Sequence, residues 1–189
     1  MLTKNEAEEI LEQAEKQSPG GWIQHSRNVA HCAELIANEI TGMNGDKAYV
    51  LGLLHDIGRK YGVTQLAQVY DGYKFMISIN EPEIAKVCLT HSFVNKSIDD
   101  YLGEFDLSDN QIDELTMLLS DLEFDDYDYL IQLCDGISTS EGIVSMKERM
   151  EDIEKRYGRY PDAIRRRNLE IKDYFEKKLG YSIEDVIKG

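Results

Sequence analysis

Apolar residues recur along most of this chain at intervals of three and four, the spacing that gathers side chains on one face of an α-helix. Thr3 and Glu6 have capping-box spacing, and Ile10, Leu11 and Ala14 continue the pattern until Ser18-Pro19-Gly20-Gly21 breaks it. From Trp22, the positions Val29, Cys32, Ala33, Ile36, Ala37 and Ile40 predict a second helix, closed by Thr41-Gly42. Asp46 is the expected cap of a third, with Val50, Leu51, Leu54 and His55 facing inward and Gly58 ending it.

Residues 64–80 predict one or two helical pieces, interrupted near Asp71-Gly72. Pro82 suits the first turn of a helix that runs to His91 through Ile84, Val87 and Cys88. Ser108 and Gln111 repeat the capping-box spacing ahead of Ile112, Leu115, Leu118 and Leu119, and residues 126–135 carry Leu130, Ile131 and Cys134 at helical intervals. Beyond the break at Glu141-Gly142, helices are expected near 145–157 and 161–179, with a short piece at 183–187. No internal repeat is visible and no stretch reads as a sheet. The expected fold class is therefore all-α: a compact multi-helix bundle with additional C-terminal helices.

The 189 residues suffice for one sizeable core, so residues 1–189 are read as a single domain. No apolar run approaches a membrane span, and the polar, acidic start lacks the order of a secretory signal, which makes the cytoplasm the expected location. Three widely spaced cysteines without a CxxC motif suit buried thiols in a reducing compartment. With 21 basic and 36 acidic side chains the formal charge is −15, which argues against duplex DNA and anionic membranes as partners. The charge is uneven, since residues 97–146 hold no lysine or arginine. Such a block is either a solvated face or a holder of counter-cations near a metal centre.

Chemistry concentrates in the four histidines. His25 lies four residues before Val29 on the inward stripe, His55 is followed directly by Asp56 near a helix end, and His91 shares the inward face of Ile84, Val87 and Cys88. A buried imidazole in an acidic chain needs a hydrogen-bond partner or a metal, because desolvation penalises it when charged and unpaired.

His25, then His55-Asp56, then Asp135 resembles the H…HD…D pattern of the HD superfamily of metal-dependent phosphohydrolases, and His55-Asp56-Ile57-Gly58 resembles the HDIG form of one subgroup. The likeness spans about residues 22–136. It implies an all-helical metal-binding core over 22–136, with residues 145–189 as a helical extension packed on it. It further implies that His25, His55, Asp56 and Asp135 hold one divalent cation. Manganese or iron is the expected metal, with cobalt, nickel, zinc and magnesium compatible with the ligand set. A second ion is less favoured, because no further histidine completes a dinuclear pattern.

The implied activity is hydrolysis of a small phosphate ester or nucleotide by metal-activated water, with Asp56 and Asp135 orienting the water and His91 assisting or meeting a phosphate. Arg59 and Lys60 are further phosphate-binding candidates, the guanidinium through paired hydrogen bonds. The arrangement resembles in part the bacterial symmetrical dinucleoside tetraphosphate hydrolases, although Thr90-His91-Ser92-Phe93 lacks their second histidine. The alternative is a nucleotide-binding regulatory module that keeps the metal without efficient turnover. An oxygen-activating enzyme would require an iron pair and a richer ligand set. Trp22 is a candidate cover for the first metal-binding helix, and Tyr70, Tyr73, Tyr127 and Tyr129 are candidates to line a nucleotide pocket or, equally, to fill the core. A small phosphorylated molecule is the expected partner, and a homodimer is compatible with the sequence.

Overall fold

A computed structural model describes residues 1–188, and among them ten α-helices carry the architecture. They are α1 (Lys4–Gln17), α2 (Gly21–Glu39), α3 (Gly45–Leu54), α4 (Ala67–Ser78), α5 (Pro82–Thr90), α6 (Asp109–Asp121), α7 (Asp126–Asp135), α8 (Met146–Tyr157), α9 (Asp162–Leu179) and α10 (Ile183–Lys188). Two 3-10 turns, Ile57–Tyr61 and Ile98–Asp100, join them. The fold is all-α, as the periodicity predicts; an isolated β-bridge, Ser138 with Ile143, closes a loop. Among the described residues no helix is long and apolar enough to cross a membrane.

The starts of several helices follow from local chemistry. The capping boxes at Thr3/Glu6 and Ser108/Gln111 form as their spacing suggests, and Asp125/Asp128 and Ser145/Glu148 add two more. The cap of α3 is a correction: Asn44, not Asp46, accepts the Lys47 backbone N–H, while Asp46 sits inside the first turn, where a carboxylate favours the helix dipole. A second correction concerns residues 64–80, where α4 runs unbroken through Asp71-Gly72.

Close packing explains that continuity. A Cβ on Gly72 would press on the Gly58 backbone and on Cys88, and one on Gly58 would lie 1.8 Å from the Gln68 carbonyl oxygen. The two glycines thus let the 3-10 turn after His55 lie directly against α4, rather than ending a helix. Gly52 plays the same part between α3 and α2, where a Cβ would come within 2.9 Å of the Ala30 Cα.

Helices α2, α3, α5 and α7 enclose one apolar cluster that includes Val29, Ile36, Leu51, Leu54, Cys88 and Ile131. Ile164, Ile171, Phe175 and Ile183 from α9 and α10 belong to the same cluster, which continues under the C-terminal helices. A smaller cluster of Leu66, Val69, Leu89, Phe93, Leu115 and Leu119 seats α6 against α4 and the end of α5. Burying a side chain such as Leu54 contributes about 1.5–3 kcal/mol. The four central helices therefore form a stiff frame, and polar groups at their ends take fixed positions.

Candidate metal centre

Three of those ends meet. His55 and Asp56 occupy the junction between α3 and the 3-10 turn, His91 caps α5, and Asp135 is the last residue of α7; His25 joins them from the first turns of α2. Helix termination exposes side chains to one another there without disturbing the buried stripes behind them.

The His55 ring sits at the centre, 5.4 Å from that of His25 and 5.0 Å from that of His91, centroid to centroid. Its Nδ1 lies 2.6 Å from the Gly52 carbonyl oxygen, which can only accept, so Nδ1 carries the hydrogen and the Nε2 lone pair points inward. Nε2 is buried and has no hydrogen-bond partner. His91 repeats the arrangement, with Nδ1 3.1 Å from the Val87 carbonyl oxygen and Nε2 3.5 Å from Asp56 Oδ1. His25 Nε2 is 3.0 Å from Asp135 Oδ1, and His55 Nε2 is 3.9 Å from both Asp135 Oδ1 and Asp56 Oδ2.

These separations suit a shared cation. Two donors each about 2.1 Å from one ion stand about 3 to 4.2 Å apart. Two overlapping trios satisfy that condition, His25 with His55 and Asp135, and His55 with Asp56 and His91, each with its ligand atoms within 4.8 Å of one another. The four residues singled out by the H…HD…D pattern fall in one cluster through His55, and His91, assigned from sequence to catalysis or phosphate, is also within ligating distance. The orphaned His55 Nε2 is the feature that a purely structural cluster does not explain, since a buried acceptor without a donor costs about 1–3 kcal/mol.

Electrostatics in the cluster favour charged carboxylates beside a neutral central imidazole. Burial pulls His55 down to about 4 against the pull of Asp56 and Asp135. Burial alone would raise the Asp56 carboxyl, but the Arg59 guanidinium, with His55 and His91, holds it well below the usual range. Asp135 is likewise held low against burial, chiefly by the hydrogen bond and charge of His25. His91 goes the other way: burial lowers it, and the adjacent Asp56 outweighs burial and raises it.

A cavity of about 880 Å³ opens over the cluster, and His25, Asp56, Arg59, His91 and Asp135 all reach its wall. Arg59 Nε donates to Asp56 Oδ2 at 2.6 Å, so this side chain both lines the cavity and clamps a metal-ligand candidate. Lys60 does not join them: its ammonium lies 3.6 Å from the centre of the Phe75 ring, away from the cavity wall. Trp22 is on the wall, its indole N–H donating to the Ser18 carbonyl. None of Tyr70, Tyr73, Tyr127 or Tyr129 is; Tyr70 donates to Glu114, and the Tyr127 hydroxyl accepts from the Asn44 backbone. The tyrosines that do line it are Tyr101 and Tyr157, neither of which the sequence singled out: Tyr101 follows a 3-10 turn, and Tyr157 closes α8.

The HD domain family model matches residues 22–139 of this sequence. With well over half the chain matched, including every residue of the cluster, the protein belongs to the HD domain family, whose members are typically metal-dependent phosphohydrolases binding divalent cations. No curated protein and no solved structure matches the chain.

Proposed function

We propose that this chain is a cytoplasmic, single-domain phosphohydrolase of the HDIG type, hydrolysing a small phosphate ester or nucleotide with one divalent cation, manganese or iron in preference to others. The observation that carries the reading is His55 Nε2: buried, unpartnered, fixed in tautomer by Gly52, and surrounded by ligating atoms of four further residues. Three unpaired buried cysteines support a reducing compartment.

A divalent cation in such a shell lowers the pKa of bound water and withdraws charge from a phosphoryl oxygen. The protein's own residues supply the rest. His25, His55, Asp56 and Asp135 are the proposed ligands, with the Gly52 and Val87 carbonyls orienting the rings of His55 and His91 from behind. Arg59 keeps Asp56 ionised and directs its remaining guanidinium donors to phosphate oxygens. Asp56, 3.5 Å from His91 Nε2, favours the protonated ring, and in that form the Nε2 proton is the one positioned to pass to a leaving oxygen. The partial likeness to symmetrical dinucleoside tetraphosphate hydrolases keeps those dinucleotides among the substrates to be tried.

The test is a panel of phosphate monoesters, diesters and nucleotides, assayed with chelator-treated protein to which manganese, iron, cobalt, nickel, zinc or magnesium is restored. Phosphate release that depends on metal and is lost in Asp56→Ala supports the reading. Metal binding without turnover of any substrate would replace it with a regulatory module.

A further inference from the structure

The cavity has a second wall, built by a helix that lies beyond the matched family segment. Helix α8 anchors itself through the buried Met146 and Met150, with Ile153 packed on the same cluster. On an adjacent face Arg149, Asp152 and Arg156, spaced by three and four residues, stack in a row along the cavity wall. These two arginines and Arg59 are the cavity's only lysine or arginine lining among the described residues.

A solvated salt-bridge ladder is the simplest account of such a row, and the hydrogen bonding argues against it. One carboxylate oxygen, Asp152 Oδ2, serves both guanidinium groups, Arg149 at 3.3 Å and Arg156 beside it. One negative charge cannot neutralise two cations, and each guanidinium keeps several N–H donors unspent. Arg149 is mostly buried, and its Nε is fully shielded without any acceptor. A mostly buried guanidinium that shares its one counter-charge with a second arginine is costly unless a further anion meets its remaining donors. The other acids on the wall are committed or peripheral. Glu148 accepts from the Ser145 backbone and hydroxyl in the capping box, Asp56 and Asp135 belong to the metal cluster, and Glu141 sits exposed on the rim.

We propose that Arg149 and Arg156 bind a second anionic group of the substrate, so that α8 selects nucleotides carrying two or more phosphates over monophosphates. The proposal rests on the hydrolase reading only for what happens at the metal end; the α8 wall binds its anion whether or not turnover follows. Tyr157, which ends α8, and Tyr101 line the same cavity.

Equilibrium binding separates the two readings because it needs no hydrolysis. Adenosine 5′-monophosphate and adenosine 5′-diphosphate differ by one phosphate, and both are titrated into manganese-loaded protein on ice, with phosphate release measured in parallel. The diphosphate is expected to bind at least tenfold more tightly. Arg149→Gln and Arg156→Gln should each cut that preference about fivefold to tenfold, the loss of one charge-assisted hydrogen bond. Arg156 is half-exposed, so its replacement leaves the fold intact even if Arg149→Gln does not. Lys147→Gln removes the same charge from an exposed position of the same helix and should keep the preference of the parent. Equal binding of the two nucleotides by the parent, or an unchanged preference in Arg156→Gln, or an equal loss in Lys147→Gln, would overturn the proposal. Absence of phosphate release with the preference intact would leave the proposal standing and remove only these two nucleotides from the substrates of the hydrolase reading.

Discussion

The two walls of the cavity are built on opposite principles. On the metal side, side chains emerge from the ends of α2, α3, α5 and α7, with His55, Asp56 and His91 almost wholly buried and each held from behind by backbone or a guanidinium. On the α8 side the charged groups ride on one amphipathic helix and remain half open to solvent, except for Arg149. Burial fixes geometry and shifts protonation, which chemistry needs. Exposure leaves a surface that sequence change can adjust without endangering the core, which selectivity needs. The family segment ends between the two, at residue 139.

The metal wall should break hardest. Asp56→Ala removes a ligand candidate together with the acceptor that Arg59 clamps, so metal affinity is expected to drop more than about a hundredfold, beyond the usual cost of losing an outer-shell group, with hydrolysis falling at least as far. Isothermal titration with manganese and initial-rate assays check this. Affinity within threefold of the parent would remove Asp56 from the shell.

Gly58→Ala tests whether the frame behind the wall is as tight as described. Because the added Cβ would meet the Gln68 carbonyl at 1.8 Å, the variant should lose about 3 kcal/mol of stability, or roughly 10 °C in thermal denaturation. A melting temperature equal to that of the parent would mean that α4 yields freely, and that the His55-Asp56 junction is less rigid than its packing implies.

Arg59→Met acts across the boundary between the two walls. The variant keeps an extended stem but loses the clamp on Asp56, so a tenfold to hundredfold fall in kcat/KM is expected, with a smaller fall in metal affinity. A rise in KM alone would assign Arg59 to phosphate binding only. Unchanged kinetics would remove it from the site.

The smallest effect expected is on pH dependence. His55 is pulled down to about 4, so protons do not compete at its Nε2 near neutrality. His91 is raised by Asp56, so its proton persists above the ordinary histidine value of about 6.5. The signs for metal-free stability are opposite: the His91 contribution is present at low pH and lost as pH rises through its folded pKa, whereas that of His55 is present above about 6.5 and lost as pH falls toward 4. Where His91 ligates, metal affinity should therefore rise severalfold between pH 6 and 8. A flat profile would confine His91 to proton transfer.

Much of this was legible in the sequence, and unevenly so. Helical periodicity located the elements because apolar stripes pack on one shared core, and His55-Asp56 stood out because two ligating side chains at a helix end have few other uses. The position of His91 in the cluster was harder to read, since a lone histidine on an apolar face looks the same whether it ligates or fills the core. Tyr70 and Tyr127 drew notice by their spacing, yet their hydroxyls serve Glu114 and the Asn44 backbone, while Tyr101 follows a 3-10 turn that periodicity does not detect. The Arg149-Asp152-Arg156 row drew no notice in the sequence, because charges at such spacing are ordinary on a solvated helix face and only the tertiary fold brings this row to the cavity it shares with the metal cluster. Lys60 sits one residue beyond Arg59 and points elsewhere, because a 3-10 turn rotates successive side chains by about 120°.

The central claim is that His55 stands at the middle of a divalent-cation site. Isothermal titration of manganese into chelator-stripped protein at pH 7.5, with His55→Gln alongside, tests it most directly, since the amide cannot present an imidazole lone pair to the ion. The account predicts saturable binding of about one equivalent by the parent and at least hundredfold weaker binding by a folded His55→Gln protein. Equal affinity in the two proteins, or no saturable binding by the parent with any of the six metals, would contradict it.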